Sequence, residues 1–240
     1  MNEPRPHHHA AAVAHLRAAD PVLAGIIAEA GDCTLTLQSD GTHFAYLLRA
    51  IVFQQLAGAA ARTIHARVLD IFGGRAPTPA ELLATPPRTL RKAGLSAQKI
   101  RYVRDLAAHA AEGDVPLPAL ETMADDEIIA ALTRVKGIGR WTAHMFLMFR
   151  LGRPDVLPEL DYGVQKGMQV AYRLRKLPKP KRMHEVAARW APHRTIGSWY
   201  MWRVLELRPP RRTVTAKTKV KAKVKVKAKP KPRSTPRRRA

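Results

Sequence analysis

Apolar residues recur at helical spacing along most of the chain, which predicts a mainly helical protein. Residues 10–30 form two short amphipathic segments separated by an Asp-Pro pair, which is typical of a helix boundary. Residues 44–72 continue the helical spacing, with a bend predicted at residues 54–58, where two glutamines interrupt an apolar run. The best strand candidate is the short segment 33–37.

Proline and hydroxyl residues mark the starts of the next helices. One helix is predicted to start at Thr78, which precedes a proline, and another is predicted to start at Pro86. Ser96 is predicted to cap a helix over residues 97–112, whose apolar residues share one face. The middle of the chain therefore consists of short helices leading into a longer one.

A glycine-punctuated turn, Val-Lys-Gly-Ile-Gly at residues 135–139, separates helical patterns in residues 128–135 and 141–149. Glycine supplies backbone freedom and lets another backbone approach closely. The N–H groups that begin the second helix form an anion site, for which a phosphate is the obvious ligand. An ordinary corner between two helices is the simpler interpretation of these residues alone, because the glycine pattern is a weak signal.

A lone carboxylate, Asp161, follows a proline-rich break and precedes a helical pattern over residues 162–174. Its ordinary role there is to cap the helix, and the helix dipole also favours its ionised form. Three of the four tryptophans lie within thirteen residues, at Trp190, Trp199 and Trp202. Such clustering is typical of a core, but it also suits a pocket for a flat ring.

The charge of the chain indicates a polyanionic partner. The sequence has 42 basic and 19 acidic residues, a net charge of +23 and a pI near 11.0. Residues 209–240 carry eight lysines, six arginines and no acid, which is +14, so the preceding 208 residues carry the remaining +9. We predict that this tail is disordered and attracts phosphates without regard to sequence. The lysine-rich composition of the tail is equally compatible with binding to RNA.

The single cysteine, Cys33, excludes an intramolecular disulfide and a four-cysteine iron–sulfur or zinc site. The N-terminus lacks the apolar core of a signal peptide, and no apolar run is long enough to span a membrane. We therefore expect a soluble cytoplasmic protein associated with the nucleoid. Residues 7–9 are three histidines, which we interpret as an incidental polar patch rather than a metal site.

Five separated stretches, taken in order, resemble the helix-hairpin-helix (HhH-GPD) DNA glycosylase superfamily, and within it the 3-methyladenine DNA glycosylase II group. The stretches are HLRAADPVL, RAIVFQQLAGAAA, AGLSAQKIRYVRDLA, LTRVKGIGRWTAHMF followed by VLPELDYGVQKG, and RWAPHRTIGSWYMWR. The resemblance implies an all-α fold in which two helical lobes flank a cleft that faces DNA. It suggests a flexible N-terminus (residues 1–12), a glycosylase body (13–208) and the disordered basic tail (209–240).

The resemblance also assigns roles to individual residues. Asp161 matches the catalytic aspartate of the family, whose carboxylate stabilises positive charge on the deoxyribose. Trp141 lies where members that also nick the strand carry a lysine, so no lyase activity is expected. Trp141 and Trp202 correspond to the aromatic walls of the base pocket. Met145 replaces a tyrosine found in some relatives, which leaves the range of accepted bases open.

Further residues match the parts of the family that hold DNA. Gln55, with Leu56 beside it, matches the wedge that fills the gap left by a flipped base, although the alignment through the glutamine pair is open by one position. The phosphate-binding residues of the hairpin are Lys136, Gly137, Ile138, Gly139 and Arg140. The resemblance suggests a monovalent cation at the carbonyls of Val135 and Ile138, and neither a divalent metal nor a cofactor is expected.

The function implied is that of a monofunctional glycosylase, a monomer that releases alkylated purines of the 3-methyladenine or 7-methylguanine type from double-stranded DNA. The basic tail would contact the phosphate backbone. One alternative is a non-catalytic protein that compacts DNA through the hairpin and the tail. Another is a glycosylase for deaminated or etheno-modified bases.

Overall fold

The computed structural model describes residues 9–208 of the chain. The predicted disorder of residues 209–240, and two of the three adjacent histidines, lie outside the described residues. The described part contains twelve α-helices: α1 (Ala10–Ala19), α2 (Pro21–Ala30), α3 (His43–Phe53), α4 (Gly58–Asp70), α5 (Pro79–Ala84), α6 (Pro87–Lys92), α7 (Ala97–Glu112), α8 (Asp125–Thr133), α9 (Arg140–Phe149), α10 (Tyr162–Ala171), α11 (Pro180–Ala187) and α12 (Arg194–Leu207).

Local sequence signals account for most helix boundaries. The side chain of Asp20 accepts the N–H groups of Val22 and Leu23 and so caps α2. Thr78 forms a reciprocal capping box with Glu81 at the start of α5, and Ser96 caps α7. These caps satisfy N–H groups that the first turn of a helix leaves unpaired. The predicted boundaries at these positions are confirmed.

The strand prediction for residues 33–37 was wrong, because no strand occurs among residues 9–208. A strand needs a partner for its backbone groups, and this segment finds individual partners instead. The ring of His9 contacts the carbonyl of Leu35 at 3.0 Å, and the N–H of Gln38 donates to the carbonyl of Phe149 at 2.8 Å. The side chain of Leu35 is buried against helices.

Residues 10–12, which the predicted flexible N-terminus (residues 1–12) includes, belong to the first helix. Helix α1 begins at Ala10, and its residues Ala12, Val13 and Leu16 are buried. An alanine-rich segment has high helix propensity, and burial of one face adds stability that propensity alone does not provide.

The helices enclose two hydrophobic cores. The first core is formed by α3 to α9 and contains residues from Phe44 to Val156. The second combines α1 and α2 with α10, α11 and α12, so it joins segments from both ends of the described chain. The protein is therefore an all-α molecule with two helical lobes.

Two aromatic side chains connect the lobes. Phe149, at the end of α9, and Trp202, on α12, each pack against both cores. Their rings are stacked, with centroids 5.8 Å apart and planes 24° apart. Trp202 therefore lies where the two lobes meet, and this position brings it to the segment that begins α10.

Within the second lobe, α10 and α12 approach each other closely. A Cβ atom added at Gly167 would lie 2.1 Å from the carbonyl oxygen of Met201. Only glycine permits this approach between α10, which Asp161 caps, and α12, which carries Trp202. None of the helices in residues 9–208 has the length and apolar character of a membrane span.

Candidate functional site

The glycine turn connects α8 to α9, and its two glycines have different structural roles. Gly137 has a φ of +88°, and an added Cβ would lie 2.2 Å from Cδ2 of Tyr102. Gly139 has an ordinary extended conformation, caps α9 without a side-chain hydrogen bond, and has open space where a Cβ would be. The first N–H groups of α9 therefore have no side-chain cap, which is the arrangement that favours an anion.

Lys136 is held in the turn by an aspartate on α7. Its backbone N–H donates to Oδ2 of Asp105 at 2.8 Å, and its Nζ donates to Oδ1 at 3.0 Å. Burial alone would raise the pKa of Asp105, but the hydrogen bonds and charge of Lys136 outweigh it and hold this pKa below its ordinary value. The Lys136 side chain remains 73% exposed, so its ammonium is accessible to a phosphate.

An ion-pair network continues from Asp105 along the same face. His109, Glu112 and Asp114 place ligand atoms within 4.8 Å of one another. Nδ1 of His109 lies 2.9 Å from Asp114, and Arg134 approaches the same carboxylate at 3.8 Å. Two of the three members of the cluster, His109 and Asp114, therefore already have partners within the protein.

The predicted cation site at the carbonyls of Val135 and Ile138 remains a prediction. The carbonyl of Val135 accepts the N–H of Ile138 at 3.0 Å. A carbonyl oxygen has a second lone pair, so this bond is compatible with a cation ligand.

Arg140, the first residue of α9, extends toward the segment that precedes Asp161. Its Nε donates to Oε1 of Glu159 at 2.9 Å. Glu159 is buried, and Gln165 of α10 donates to its backbone carbonyl at 2.8 Å. Arg140 therefore joins the hairpin to the loop that carries Asp161, a contact that the sequence did not indicate.

Asp161 caps α10 and accepts two indole N–H groups. Its Oδ1 accepts the backbone N–H of Val164 at 2.8 Å and Nε1 of Trp202 at 2.8 Å. Its Oδ2 accepts Nε1 of Trp141 at 2.8 Å. The predicted cap is confirmed, and the structure brings together the three residues that the sequence separated by up to 61 positions.

The space beside this carboxylate depends on Gly163. A Cβ added at Gly163 would lie 2.7 Å from Cδ1 of Trp202 and 3.0 Å from Oδ1 of Asp161. A larger residue would displace the indole or the carboxylate. Glycine at this position thus permits the hydrogen bond between Trp202 and Asp161.

The aromatic residues divide between core and site. Trp190 and Trp199 are buried in the second core, as expected for a tryptophan cluster. Trp141 is 44% exposed. Met145 follows Trp141 by four positions on α9 and so lies on the same side of the helix. Its side chain is partly buried against the first core.

The predicted bend in residues 44–72 is confirmed as a complete break between α3 and α4. The side chain of Gln54 points to the hairpin and donates to the carbonyl of Gly137 at 2.8 Å. Gln55 has a φ of +55° and is exposed, and Leu56 is 37% exposed. The two glutamines therefore differ: Gln54 is anchored to the protein, whereas Gln55 and Leu56 face solvent.

A cavity of about 460 Å³ lies between this break, the start of α7 and the hairpin. Its lining includes Gln54, Gln55, Lys99, Tyr102 and Gly137. Asp161 is not part of it. The Asp161 carboxylate accepts two indole N–H groups, whereas the described lining of the cavity contains no acidic group.

Comparison with known proteins identifies the family. Residues 48–193 match the model of the HhH-GPD superfamily base excision DNA repair proteins. DNA-3-methyladenine glycosylase 1 of Schizosaccharomyces pombe is 35% identical over 173 residues, which cover 71% of this chain and 76% of the relative.

Two solved structures are also similar. A 3-methyladenine DNA glycosylase of S. pombe in complex with abasic DNA has a TM-score of 0.73 at 32% identity, covering 82% of this chain and 98% of that one. A DNA-3-methyladenine glycosidase of Bacillus halodurans has a TM-score of 0.73 at 36% identity, covering 80% and 88%. The chain, with its glycine hairpin and two helical lobes, therefore belongs to the HhH-GPD superfamily of base excision DNA repair proteins.

Proposed function

We propose that the protein is a monofunctional DNA glycosylase that hydrolyses the N-glycosidic bond of alkylated purines, of the 3-methyladenine or 7-methylguanine type, in base excision repair. The observation that carries this proposal is the Asp161 carboxylate, held by the indole N–H groups of Trp141 and Trp202. The names of the relatives support the same substrate class.

Asp161 supplies the electrostatic part of the reaction. When the base departs with the bonding electrons, the deoxyribose acquires oxocarbenium character, and a fixed carboxylate stabilises this charge. Water then adds to the sugar carbon and loses its proton, for which the carboxylate is an acceptor. Alkylation leaves the base cationic and a good leaving group, so the site needs no strong general acid.

Trp141 and Trp202 form the walls that select the base. A methylated purine is electron-poor or cationic and therefore stacks favourably on the electron-rich face of an indole. Normal purines lack this charge, so their stacking on the indole face is less favourable. Met145 adds an adaptable apolar side chain near Trp141, which suits a pocket that accepts more than one lesion.

The hairpin grips the strand that contains the lesion. The N–H groups at Gly137 and Gly139 contact a phosphate, and the exposed cation of Lys136 adds charge. The N–H of Ile138 instead donates to the carbonyl of Val135 and holds the turn in shape. Arg140 is about half exposed while its Nε binds Glu159, so it contacts the phosphate with its remaining N–H groups. A monovalent cation at the carbonyls of Val135 and Ile138 would bridge to the same phosphate.

Gln55 and Leu56 fill the space that the flipped base leaves in the duplex. Both are exposed at the break between α3 and α4, and Gln54, one residue earlier, is anchored to the hairpin. This geometry favours Gln55 and Leu56 over Gln54 as the wedge. Wedge and hairpin lie on the same face of the molecule.

The remaining parts of the proposal concern the whole chain. Residues 10–208, from the start of α1, form the glycosylase body, and the basic segment 209–240 adds attraction to the phosphate backbone without sequence preference. The protein acts as a monomer on double-stranded DNA, in the cytoplasm at the nucleoid. Trp141 replaces the lysine that a lyase needs, so the product is an intact strand with an abasic site.

A substrate panel tests the proposal. Duplexes that contain 3-methyladenine, 7-methylguanine, etheno-adenine or hypoxanthine are incubated with the protein, and the released base is measured by mass spectrometry. We expect release of the methylated purines, without strand nicking and without a borohydride-trapped adduct. Preferential release of hypoxanthine or etheno-adenine would change the substrate class. Binding without any release would favour a DNA-compacting protein, and nicking would contradict the monofunctional assignment.

A further inference from the structure

Lys99, on α7, caps the end of a helix to which it does not belong. Its Nζ donates to the carbonyl of Val52 at 2.6 Å and to the carbonyl of Gln54 at 2.7 Å. These carbonyls lie at the end of α3, where the last turn of a helix leaves oxygens without intrahelical partners. A single ammonium thus satisfies backbone oxygens on both sides of the point where the chain leaves α3.

The position of Lys99 is electrostatically unfavourable with respect to its own helix. Ser96 caps α7 through the N–H of Lys99, so the lysine lies in the first turn, where the helix dipole disfavours a cation. Partial burial of the ammonium also lowers the pKa of Lys99. Both costs are offset at the end of α3, whose dipole favours a positive charge. We interpret Lys99 as a residue that stabilises the break between α3 and α4 rather than its own helix, α7.

The hairpin is bound to the same elements. Gln54 donates to the carbonyl of Gly137 at 2.8 Å, and the ring of Tyr102 on α7 covers the face of Gly137 where a side chain would be. Gln98 donates to the hydroxyl of Tyr102 at 2.6 Å. Helix α7 therefore supports the break through Lys99 and the hairpin through Tyr102, and Gln54 links the two directly.

Immediately after Gln54 the chain adopts a conformation that needs external support. Gln55 has a φ of +55°, a region that residues other than glycine seldom adopt unless their surroundings hold them. Its side chain and that of Leu56 are exposed, while the backbone carbonyls of Val52 and Gln54, just before them, are bound by another helix. That backbone is the segment bound by Lys99.

We infer that Lys99 and Gln54 are positioning residues that hold the Gln55–Leu56 wedge at a fixed distance from the hairpin, so that gripping the strand and opening the stack occur as one event. This inference rests on the proposed function, because it assigns a purpose to the wedge that base flipping requires. Neither residue has to touch the flipped base or the reacting sugar.

The test separates opening of the duplex from chemistry. Lys99→Met and Gln54→Met are compared with the unmutated protein in two assays. The first follows the fluorescence of 2-aminopurine beside a stable abasic-site analogue, which rises when the base stack opens. The second measures single-turnover release of 7-methylguanine from a normal duplex and from an unpaired loop, where flipping costs little.

We expect both variants to lose most of the fluorescence rise. Release from the duplex should fall about tenfold to a hundredfold in Lys99→Met, which loses hydrogen bonds of a charged group, and about threefold to tenfold in Gln54→Met, which loses a neutral one. Release from the loop should change less than about threefold in both variants. Lys99→Arg, which retains donors and charge, should recover most of both signals. Lys92→Met, at the exposed end of α6, removes the same charge nearby and should behave like the unmutated protein.

Several outcomes would overturn the inference. These are an unchanged fluorescence rise in both variants, an equal loss of release from duplex and loop, an equal loss in Lys92→Met, or no fluorescence rise with the unmutated protein. One further result would distinguish the inference from the proposed function. A fluorescence rise that depends on Lys99, without release of any base, would support the positioning role and contradict the proposed glycosylase activity. Thermal unfolding of each variant controls for misfolding, and Gln54→Met leaves the Lys99 contacts with backbone carbonyls in place.

Discussion

At the scale of single residues, the two oxygens of Asp161 have different surroundings. Oδ1 accepts a backbone N–H and the indole of the half-buried Trp202, so it is committed to structure. Oδ2 accepts only the indole of Trp141 among the described contacts, and the side chain of Trp141 is 44% exposed. A carboxylate oxygen has two lone pairs, so Oδ2 has the capacity to face the sugar.

Asp161→Asn should reduce base release by at least about a hundredfold, because the charge that stabilises the oxocarbenium ion is lost while the shape is kept. Asparagine caps helices nearly as well as aspartate, but its amide nitrogen cannot accept the indole N–H of Trp141, so the free energy of unfolding should fall by about 1 kcal/mol. Single-turnover release from alkylated DNA and the dissociation constant for the same duplex measure the two effects. Turnover near that of the unmutated protein would remove Asp161 from the catalytic role.

At the scale of elements, the hairpin depends on one glycine more than on the other. Gly137 combines a positive φ with a ring directly over the site of its missing side chain, whereas Gly139 has neither constraint. The sequence pattern presents them as equivalent. The difference arises because α7, from another part of the chain, places Tyr102 against the turn.

Gly137→Ala should lower the free energy of unfolding by about 1–3 kcal/mol, since both the backbone conformation and the contact with Tyr102 become strained. DNA binding should weaken with it, because the turn presents its N–H groups in a changed direction. Gly139→Ala is the matched control and should cost less than about 1 kcal/mol. Chemical denaturation measures both, and equal losses in the two variants would contradict the assigned roles.

At the scale of the whole molecule, both ends of the described chain build one lobe. Helices α1 and α2 pack with α10, α11 and α12, while the intervening helices form the other lobe. The hairpin belongs to the first lobe and α10 to the second. Asp161 and Trp141 therefore come from different lobes, and their hydrogen bond crosses the boundary between them.

Removal of residues 209–240 should weaken DNA binding strongly at low salt and leave the rate of base release at saturating protein nearly unchanged. The segment carries +14, and each neutralised phosphate contributes about −0.9 to the slope of log K against log salt. Titrations at several salt concentrations measure the slope for the full and shortened proteins. An equal slope, or loss of release at saturation, would contradict a purely electrostatic role.

Acidification should destabilise the folded protein below the ordinary histidine pKa of about 6.5. Burial lowers the pKa of His43, His65, His144 and His193. The unfolded chain therefore binds more protons than the folded protein as the pH falls, so the stability present above about pH 6.5 decreases below it. Melting temperatures at about pH 7.5 and pH 5.5 test this, and the higher value is expected at the higher pH. A constant or increased melting temperature at pH 5.5 would contradict the prediction.

The features that depend on interactions between neighbouring residues could be predicted from the amino-acid sequence. Apolar spacing, proline and capping side chains predicted the helices, the break after α3 and the cap at Asp161, because these follow from interactions within a few positions. The five stretches of family resemblance then predicted the all-α fold. The segment 33–37 was mistaken for a strand because alternation of apolar residues does not reveal whether a partner strand exists.

Contacts between residues that are far apart in the chain became visible only in the folded protein. The indoles of Trp141 and Trp202 both donate to Asp161, Arg140 binds Glu159, and Lys99 caps the end of α3, although no local pattern relates these residues. Such contacts follow from how two lobes pack and from close approaches such as that of Gly167 to Met201. A hydrogen bond requires a donor and an acceptor within about 3 Å, and packing across the whole chain sets that distance.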